Sequence, residues 1–362
     1  MNNRFSLRDL AQSLDDAEVA RLKDTFSDEI AKVQDERLLG IARSFREQGI
    51  ALVLGAGVSM SANAPGWGQL MGRLVLSVVH SSLEPGTAVD DAYLPFTEIF
   101  AQTLPKDQLV AAQYVKLALE SRGLKDEHVF LRTLRQVLYA GTQDPASSAL
   151  IVSLADLCRG SGWQRSAGVR EVITYNYDVF LEELLARVNC PYQTVPRHQR
   201  AEGDRLPVYH PHGILHRTEN PNDWAILSED DYHSEFAAPH SWSNIVQLNA
   251  FSQMRCVFIG LSLTDPNIRR LLGAARTKGT PQHFAFLRRR DPNAVLESLE
   301  QERGWGSAEP RGRLRDALAE RVRVGCLGGD VADNLTLEAL GVQVIWYDHH
   351  GDLSMLINDL LK

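Results

Sequence analysis

An apolar run ends abruptly in a glycine-rich stretch at residues 52–59, Leu-Val-Leu-Gly-Ala-Gly-Val-Ser. This order predicts a buried strand that turns directly into a helix, with little side chain covering the backbone at the turn. Glycines allow a phosphate to approach the chain, and a helix N-terminus offers N–H donors and the positive end of its dipole. The stretch therefore indicates an α/β protein that binds a dinucleotide, either as cofactor or as substrate.

Charge and hydropathy argue against two kinds of partner. The 362 residues include 38 basic and 46 acidic side chains, for a formal net charge of −8. A nucleic-acid backbone is bound by a basic face, so we expect no direct contact with DNA or RNA. Residues 1–5 lack the apolar core of a signal peptide, and no apolar run is long enough to span a bilayer. These features predict a cytoplasmic protein that does not contact a membrane.

The four cysteines are far apart in the sequence, at positions 158, 190, 256 and 326. Structural zinc sites usually draw on pairs of the Cys-x-x-Cys kind, and the sequence has none. We therefore expect no zinc, no other metal site, and four reduced, mostly buried thiols.

Strand-like segments recur along the chain and alternate with segments of helical periodicity. They occupy residues 50–54, 169–174, 206–209, 256–259, 283–287 and 342–347, and most are rich in β-branched or aromatic side chains. Short apolar strands that alternate with helices are typical of a parallel sheet covered on both faces. The sequence thus predicts an α/β fold, a Rossmann-like parallel sheet with helices on both faces, plus a helical insertion lobe.

Three regions are expected along the chain. Residues 1–48 have the periodicity of N-terminal helices, which we expect to pack on the main domain; a helix pair at a subunit interface is the alternative. Residues 49–84 and 166–362 are assigned to the Rossmann-like domain. Residues 85–165 carry apolar residues at helical spacing without strand signals, which indicates a helical insertion.

Four of the strands end in polar clusters, at residues 55–59, 174–178, 210–213 and 260–266. In a parallel sheet the carboxyl ends of the strands lie on one edge, and ligands bind beyond that edge. The four clusters therefore predict one composite site.

The glycine-rich stretch departs from the fingerprint of a hydride-transfer enzyme. Met60 stands where the third glycine of Gly-x-Gly-x-x-Gly is expected, and no strand ending in an acidic residue follows about 20 residues later. The sequence also has no Gly-x-x-x-x-Gly-Lys-Ser/Thr motif, so a phosphate-loop ATPase is not expected.

Each polar candidate also has a purely structural interpretation. Asn176 could hold a strand-end turn, and Asp178 could cap the helix that follows it. His212 could be a buried histidine with satisfied hydrogen bonds. Asp265 and Pro266 most simply begin a helix, as its cap and its first-turn residue.

This ordered set of strand ends resembles the sirtuin-like family over roughly residues 45–350. The resemblance implies that a glycine loop cradles the pyrophosphate of NAD, with Gly55, Ala56, Gly57 and Ser59 at the matching positions. It implies a Thr-x-Asn-x-Asp strand end beside the nicotinamide ribose, a His-Gly strand end that supplies the catalytic histidine, and a late Gly-x-Ser loop on the adenosine side. The residues that match these three motifs are Thr174, Asn176 and Asp178; His212 and Gly213; and Gly260 and Ser262.

Two departures separate the chain from the protein-deacylating sirtuins. It lacks their zinc module of two cysteine pairs, and residues 64–70, Ala-Pro-Gly-Trp-Gly-Gln-Leu, replace their Pro-x-Phe-Arg stretch. The chain looks more like the bacterial anti-phage branch, which includes Thoeris-type effectors and sirtuin proteins paired with a HerA-type ATPase. Residues 227–232 and 262–267 are similar to segments of that branch.

The resemblance implies that NAD is a substrate, hydrolysed at the nicotinamide–ribose bond to nicotinamide and ADP-ribose so that NAD is depleted during defence. We expect Asn176 to contact the ribose and position a water, His212 to act as general base, and Asp178 to support the site electrostatically. Control of such an activity implies a homo-oligomer or a partner such as a HerA-type hexameric ATPase. The alternatives are an ADP-ribosyl transferase or deacylase, and a non-catalytic NAD-binding sensor or scaffold subunit.

Overall fold

The structure, a computed structural model, describes residues 5–83, 99, 103–105, 107–122, 128–160, 167–238, 240–277, 282–304 and 311–360. Its strands are β1 (Ile50–Leu54), β2 (Val169–Thr174), β3 (Tyr192–Thr194), β4 (Leu206–Tyr209), β5 (Gly213–Ile214), β6 (Trp224–Ala225), β7 (Arg255–Ile259), β8 (His283–Arg288) and β9 (Val342–Tyr347). The helices of the first half are α1 (Leu7–Ala11), α2 (Asp16–Glu47), α3 (Ala56–Met60), α4 (Trp67–Leu83), α5 (Gln108–Arg122), α6 (Val129–Tyr139) and α7 (Ala149–Arg159). Those of the second half are α8 (Phe180–Arg187), α9 (Glu229–Ala237), α10 (Trp242–Gln253), α11 (Pro266–Ala275), α12 (Pro292–Arg303), α13 (Arg311–Glu338) and α14 (His350–Asp359).

Seven strands form one parallel sheet in the order β3-β4-β2-β1-β7-β8-β9. The chain builds outward from β1 to β2 and β4 on one side, and then returns to add β7, β8 and β9 on the other. This reversal makes a topological switch point between β1 and β7, where ligands bind in sheets of this kind. The expected α/β, Rossmann-like fold is confirmed, and so are all six strands that the sequence predicts.

Three short strands were not predicted. β3 is three residues long, and β5 and β6 pair as a separate two-residue antiparallel ladder. Segments this short cannot show an alternating pattern, so their pairing depends on the tertiary structure.

Both faces of the sheet are covered by helices, because the central strands are apolar on both sides. In β1, Leu52 packs into one core with α7, α8 and α14, while Val53 packs into the other with α10 and α11. Both side chains are fully buried. A near-continuous apolar strand of this kind is typical of a central position in a parallel sheet.

The N-terminal helices pack on the main domain, as the simpler expectation had it. The buried Arg37 of α2 donates to the carbonyl of Val344 in β9 at 2.6 Å and forms an ion pair with Glu338 of α13. Gln34 donates to the carbonyl of Trp346 at 2.8 Å. These contacts fix α2 along the β9 edge of the sheet.

A separate helical lobe stands beside the sheet edge. Leu74 of α4, Val115 of α5 and Leu134 of α6 share a core that also takes in Leu227, just before α9. By contrast α7 packs on the sheet through residues such as Leu154. The division at residues 85 and 165 stays a prediction, and part of residues 85–165 lies outside the described ranges.

Hydropathy of the helices gives one further result. None of the helices within the described ranges combines the length and the apolar character needed to cross a membrane.

Candidate active site

The glycine loop after β1 packs directly against the loop after β7, across the switch point. The N–H of Gly57 donates to the carbonyl of Gly260 at 3.0 Å, and the N–H of Gly55 donates to that of Ile259 at 3.0 Å. A Cβ at Gly57 would lie 2.8 Å from the Cα of Gly260, closer than real contacts allow. Gly260 itself has a φ of +71°, which favours glycine. Glycine is therefore needed here for the close approach of two loops.

This contact modifies the expectation that the loop offers unpaired N–H donors. The Gly57 N–H is already used by Gly260, because α3 begins while its first turn lies against the β7 loop. Within the described part of the chain, the exposed Ala56 is a loop residue for whose N–H no hydrogen bond is found. The assignment of Gly55, Ala56, Gly57 and Ser59 to the pyrophosphate stays a prediction.

Asn176, at the end of β2, holds the glycine loop from the other side. Its Nδ2 donates to the carbonyl of Gly55 at 3.0 Å, and its backbone N–H donates to the Thr174 hydroxyl at 3.2 Å. The side chain therefore joins two neighbouring strand ends instead of holding only its own turn. Its Oδ1 makes no hydrogen bond to the described residues, which leaves an acceptor for a bound molecule.

Asp178 contacts both the start of the helix that follows it and the glycine loop, and its electrostatic role stays a prediction. Its Oδ1 accepts the backbone N–H of Phe180 at 3.1 Å, as a helix cap does, while its Oδ2 accepts the Ser59 hydroxyl at 2.6 Å. Burial raises the pKa of Asp178 from 3.8 to about 6, although the hydrogen bonds from Ser59 and Phe180 oppose the rise. Ser59 is thus buried and already occupied in this structure.

His210 belongs to a closed, buried network beneath the sheet edge. Its Nδ1 faces the carbonyl oxygen of Asn176 at 3.0 Å, and its Nε2 faces Oε1 of Glu182 at 2.7 Å. Burial works against the charged ring, but Glu182 and the Asn176 carbonyl together raise its pKa above the ordinary value. With both nitrogens satisfied, His210 serves to position the strand end that carries Asn176.

His212 lies two residues further on, in different surroundings. Its ring is partly buried between Tyr175 and Tyr232, with centroids 4.7 Å and 5.6 Å away in edge-to-face geometry. Neither ring nitrogen makes a hydrogen bond to the residues that the structure describes. Burial lowers the pKa of His212, and the charges of Asp265 and Glu235 only partly offset this. The ring is therefore held as a neutral base at physiological pH.

Two tyrosines pack against the ring of His212, and the sequence analysis singled out neither of them. The hydroxyl of Tyr175 donates to Gln247 at 2.5 Å, and that of Tyr232 donates to Oδ2 of Asp265 at 2.6 Å. Asp265 also caps α11 through its other oxygen, so the predicted start of that helix is confirmed. Only the likeness of residues 227–232 to one branch of a family pointed toward Tyr232.

The remaining predicted residues lie at the same edge. Gly213 has a φ of +115°, and a Cβ there would lie 2.2 Å from the carbonyl oxygen of Trp224, so glycine is required for β5 to pair with β6. Ser262 is exposed in the β7 loop, where its hydroxyl contacts that of Thr264 at 2.8 Å. No residue of the predicted set lies away from the carboxyl edge of the sheet.

Metal binding finds no support in the ranges that the structure covers. There, no group of three or more His, Cys, Asp or Glu side chains is placed to hold an ion. His210, which the sequence places near other polar groups, is paired with Glu182, and His216 with Asp223 at 2.7 Å. All four cysteines are buried and free of disulfides.

Fold and site together define a Rossmann-like α/β protein with a polar site at the topological switch point of its sheet. The family model described as a SIR2-like domain matches residues 170–307, from the start of β2 to just beyond α12. This match supports a sirtuin-like family, whose SIR2-like domains bind NAD as a substrate and are typically NAD-dependent enzymes. It covers Asn176, His212 and Gly260 but not the glycine loop after β1. No curated protein matches the chain.

Proposed function

We propose that the protein is an NAD glycohydrolase, which cleaves the nicotinamide–ribose bond to give nicotinamide and ADP-ribose. The observation that carries the proposal is the environment of His212. Its ring is neutral and has no hydrogen-bond partner in the described structure, and it lies at the sheet edge where Asn176 contacts the glycine loop. A general base must be unprotonated and free to reach its proton. His210, two residues away, is not free to accept a proton, because both of its ring nitrogens already have partners.

The reaction asks for a base and for charge stabilisation, but not for a general acid. Nicotinamide leaves as a neutral molecule, so its departure needs no proton, unlike that of an alcohol in ordinary glycoside hydrolysis. In our proposal His212 accepts a proton from a ribose hydroxyl or from the attacking water. The free Oδ1 of Asn176 binds the ribose and orients that water.

Charge near the site supports the same chemistry. The bond breaks through a sugar with oxocarbenium character, which a nearby negative charge stabilises. With a pKa of about 6, Asp178 is mostly ionised at pH 7 and lies directly beneath the glycine loop through its bond with Ser59. Its role is electrostatic support, while Ala56 and the neighbouring glycines contact the pyrophosphate.

Sequence features favour hydrolysis over transfer to a protein. The absence of Cys-x-x-Cys pairs removes the module that helps deacylating sirtuins to form a cleft for an acylated lysine peptide. The likeness to anti-phage proteins supports a role in NAD depletion during defence in the cytoplasm. We further propose that self-association or a HerA-type hexameric ATPase controls the activity. Measuring the native mass of the chain, alone and mixed with such an ATPase, tests this control.

The central experiment measures the products formed from NAD by the purified full chain. Equimolar nicotinamide and free ADP-ribose, without any acyl or protein acceptor, are expected. His212→Ala and Asn176→Ala should each lose most of the activity, whereas His233→Ala, at an exposed position of α9, serves as the matched control. Wild-type rates in both site variants would refute the assignment, and ADP-ribose attached to protein would favour the transferase alternative.

A further inference from the structure

A cavity lies on the α10 side of the sheet, and none of the proposed catalytic residues lines it. It has a volume of about 640 Å³, within the range of small-molecule sites. Its floor is Glu171 of β2, and its walls include Tyr209 of β4 and Trp242 of α10. Glu171 lies three residues before the end of β2 at Thr174, about 10 Å along the strand from the carboxyl edge of the sheet.

Glu171 is the unusual feature of this cavity. Its side chain is only 9% exposed, yet it forms no hydrogen bond or ion pair with the described residues, and Oε1 is completely enclosed. Buried polar groups are almost always satisfied, and a buried carboxylate without a partner is costly. Burial accordingly raises the pKa of Glu171 to about 7, with Arg170 only weakly opposing.

The walls and the mouth add two further chemical preferences. The rings of Tyr209 and Trp242 lie 6.2 Å apart at a tilted angle, which offers aromatic surface to a cation. Three exposed residues that line the cavity are basic or capable of positive charge, namely His198, Arg200 and His240. The other exposed lining residues, Gln199, Ala201, Ile245 and Asn249, are uncharged.

We infer that this cavity binds a small basic amino acid, whose side-chain amine or guanidinium group pairs with Glu171 and whose carboxylate faces Arg200. N–H donors on a cation can reach the carboxylate through Oε2, the oxygen that is not enclosed, and form charge-assisted hydrogen bonds with it. A ligand with only a positive charge would have no group to pair with the basic residues at the mouth. A ligand with only a negative charge would be repelled by the buried carboxylate of Glu171. The site is separate from the one proposed for NAD, so it stands whether or not the chain hydrolyses NAD.

The test is calorimetric titration of the full chain with four probes: L-arginine, L-lysine, agmatine and L-citrulline. Arginine or lysine should bind with a Kd of about 1 mM or tighter. Citrulline, whose side chain ends in a neutral urea instead of a guanidinium, and agmatine, which lacks the carboxylate, should each bind at least about tenfold more weakly than arginine.

Two variants locate the site. Glu171→Gln should weaken the binding of the amino acid by about tenfold or more, since one charge-assisted hydrogen bond is lost, whereas Glu202→Gln, at an exposed position of the same loop region, should not. Arg200→Ala should weaken arginine but not agmatine. The inference fails if neither amino acid binds at about 10 mM, if citrulline equals arginine, or if Glu171→Gln behaves like Glu202→Gln. Because the comparison of probes uses the wild-type chain, it decides the matter even if a variant folds poorly.

Discussion

His210 and His212 follow the same strand, two residues apart, but one lies in a closed polar network and the other in an aromatic niche. The network of His210 satisfies both of its nitrogens with Asn176 and Glu182 and raises its pKa. In the niche of His212, the rings of two tyrosines pack edge-on against the imidazole, and burial lowers its pKa. Its nitrogens are unpaired within the described structure.

In our proposal the hydrogen-bond partners, and not residue type or position in the chain, separate the structural His210 from the reactive His212. Both side chains sit at the carboxyl edge of a parallel sheet, where the fold alone would assign either of them to the site. A satisfied imidazole has no proton-accepting nitrogen to offer, while an unpaired neutral one does. Replacing each histidine in turn tests this comparison, because one substitution should lower activity and the other should lower stability.

The largest effect is expected from His212→Ala. Loss of a general base usually costs roughly 10²–10⁴-fold in rate, and no buried partner is left uncompensated when this ring is removed. NAD hydrolysis should therefore fall by that factor while the melting temperature changes little. His233→Ala is the control, since its ring is exposed on α9. A variant that melts much earlier than the wild type would show that His212 is structural after all.

His210→Ala should do the opposite. It leaves the buried Glu182 without its partner, and breaking a buried pair in this way typically costs about 3–5 kcal/mol. Chemical unfolding should show that loss directly, with any change in activity following from the displaced Asn176. A variant of normal stability but no activity would place His210 in the chemistry and overturn the comparison.

Local sequence patterns predicted what depends on local structure. Short apolar runs located β1 and its neighbours in the sheet, and Asp265 followed by Pro266 located the start of α11. The carboxyl ends of parallel strands then placed Asn176 and His212 at one edge, because the fold brings such ends together.

What the sequence missed depends on pairs that are far apart in the chain. The bond between Ser59 and Asp178 spans 119 residues, and that between Tyr232 and Asp265 spans 33. Nothing in a single sequence marks such partners. For the same reason the use of the Gly57 N–H by the distant β7 loop could not be read from the glycine pattern.

A third prediction extends the comparison to two buried glutamates, the paired Glu182 and the unpaired Glu171. The folded-state pKa of Glu171 is raised from 4.5 to about 7, so its contribution to stability is complete below about pH 4.5 and is lost as the pH rises through about 7. The shift corresponds to at most about 3 kcal/mol.

In the Glu171→Gln variant this loss of stability at high pH should not occur, because an amide cannot ionise. The variant should therefore be more stable than the wild type at pH 8, by up to about 3 kcal/mol, and nearly equal to it at pH 4. Urea unfolding at both pH values measures the difference, with Glu202→Gln as the exposed control. A difference that is the same at both pH values would mean that Glu171 has a partner that holds it ionised.

The smallest effect should come from Tyr232→Phe, which tests how the niche of His212 is built. The change keeps the ring edge against His212 and removes only the hydroxyl that donates to Asp265, a bond worth about 1 kcal/mol. Asp265 keeps its Oδ1 bonds to the first turn of α11, so the helix cap is retained and only Oδ2 loses a partner. Stability should fall by about that amount and NAD hydrolysis by less than about tenfold. If activity instead falls as far as in His212→Ala, the hydroxyl contacts the reacting atoms, and the niche contributes chemistry as well as shape.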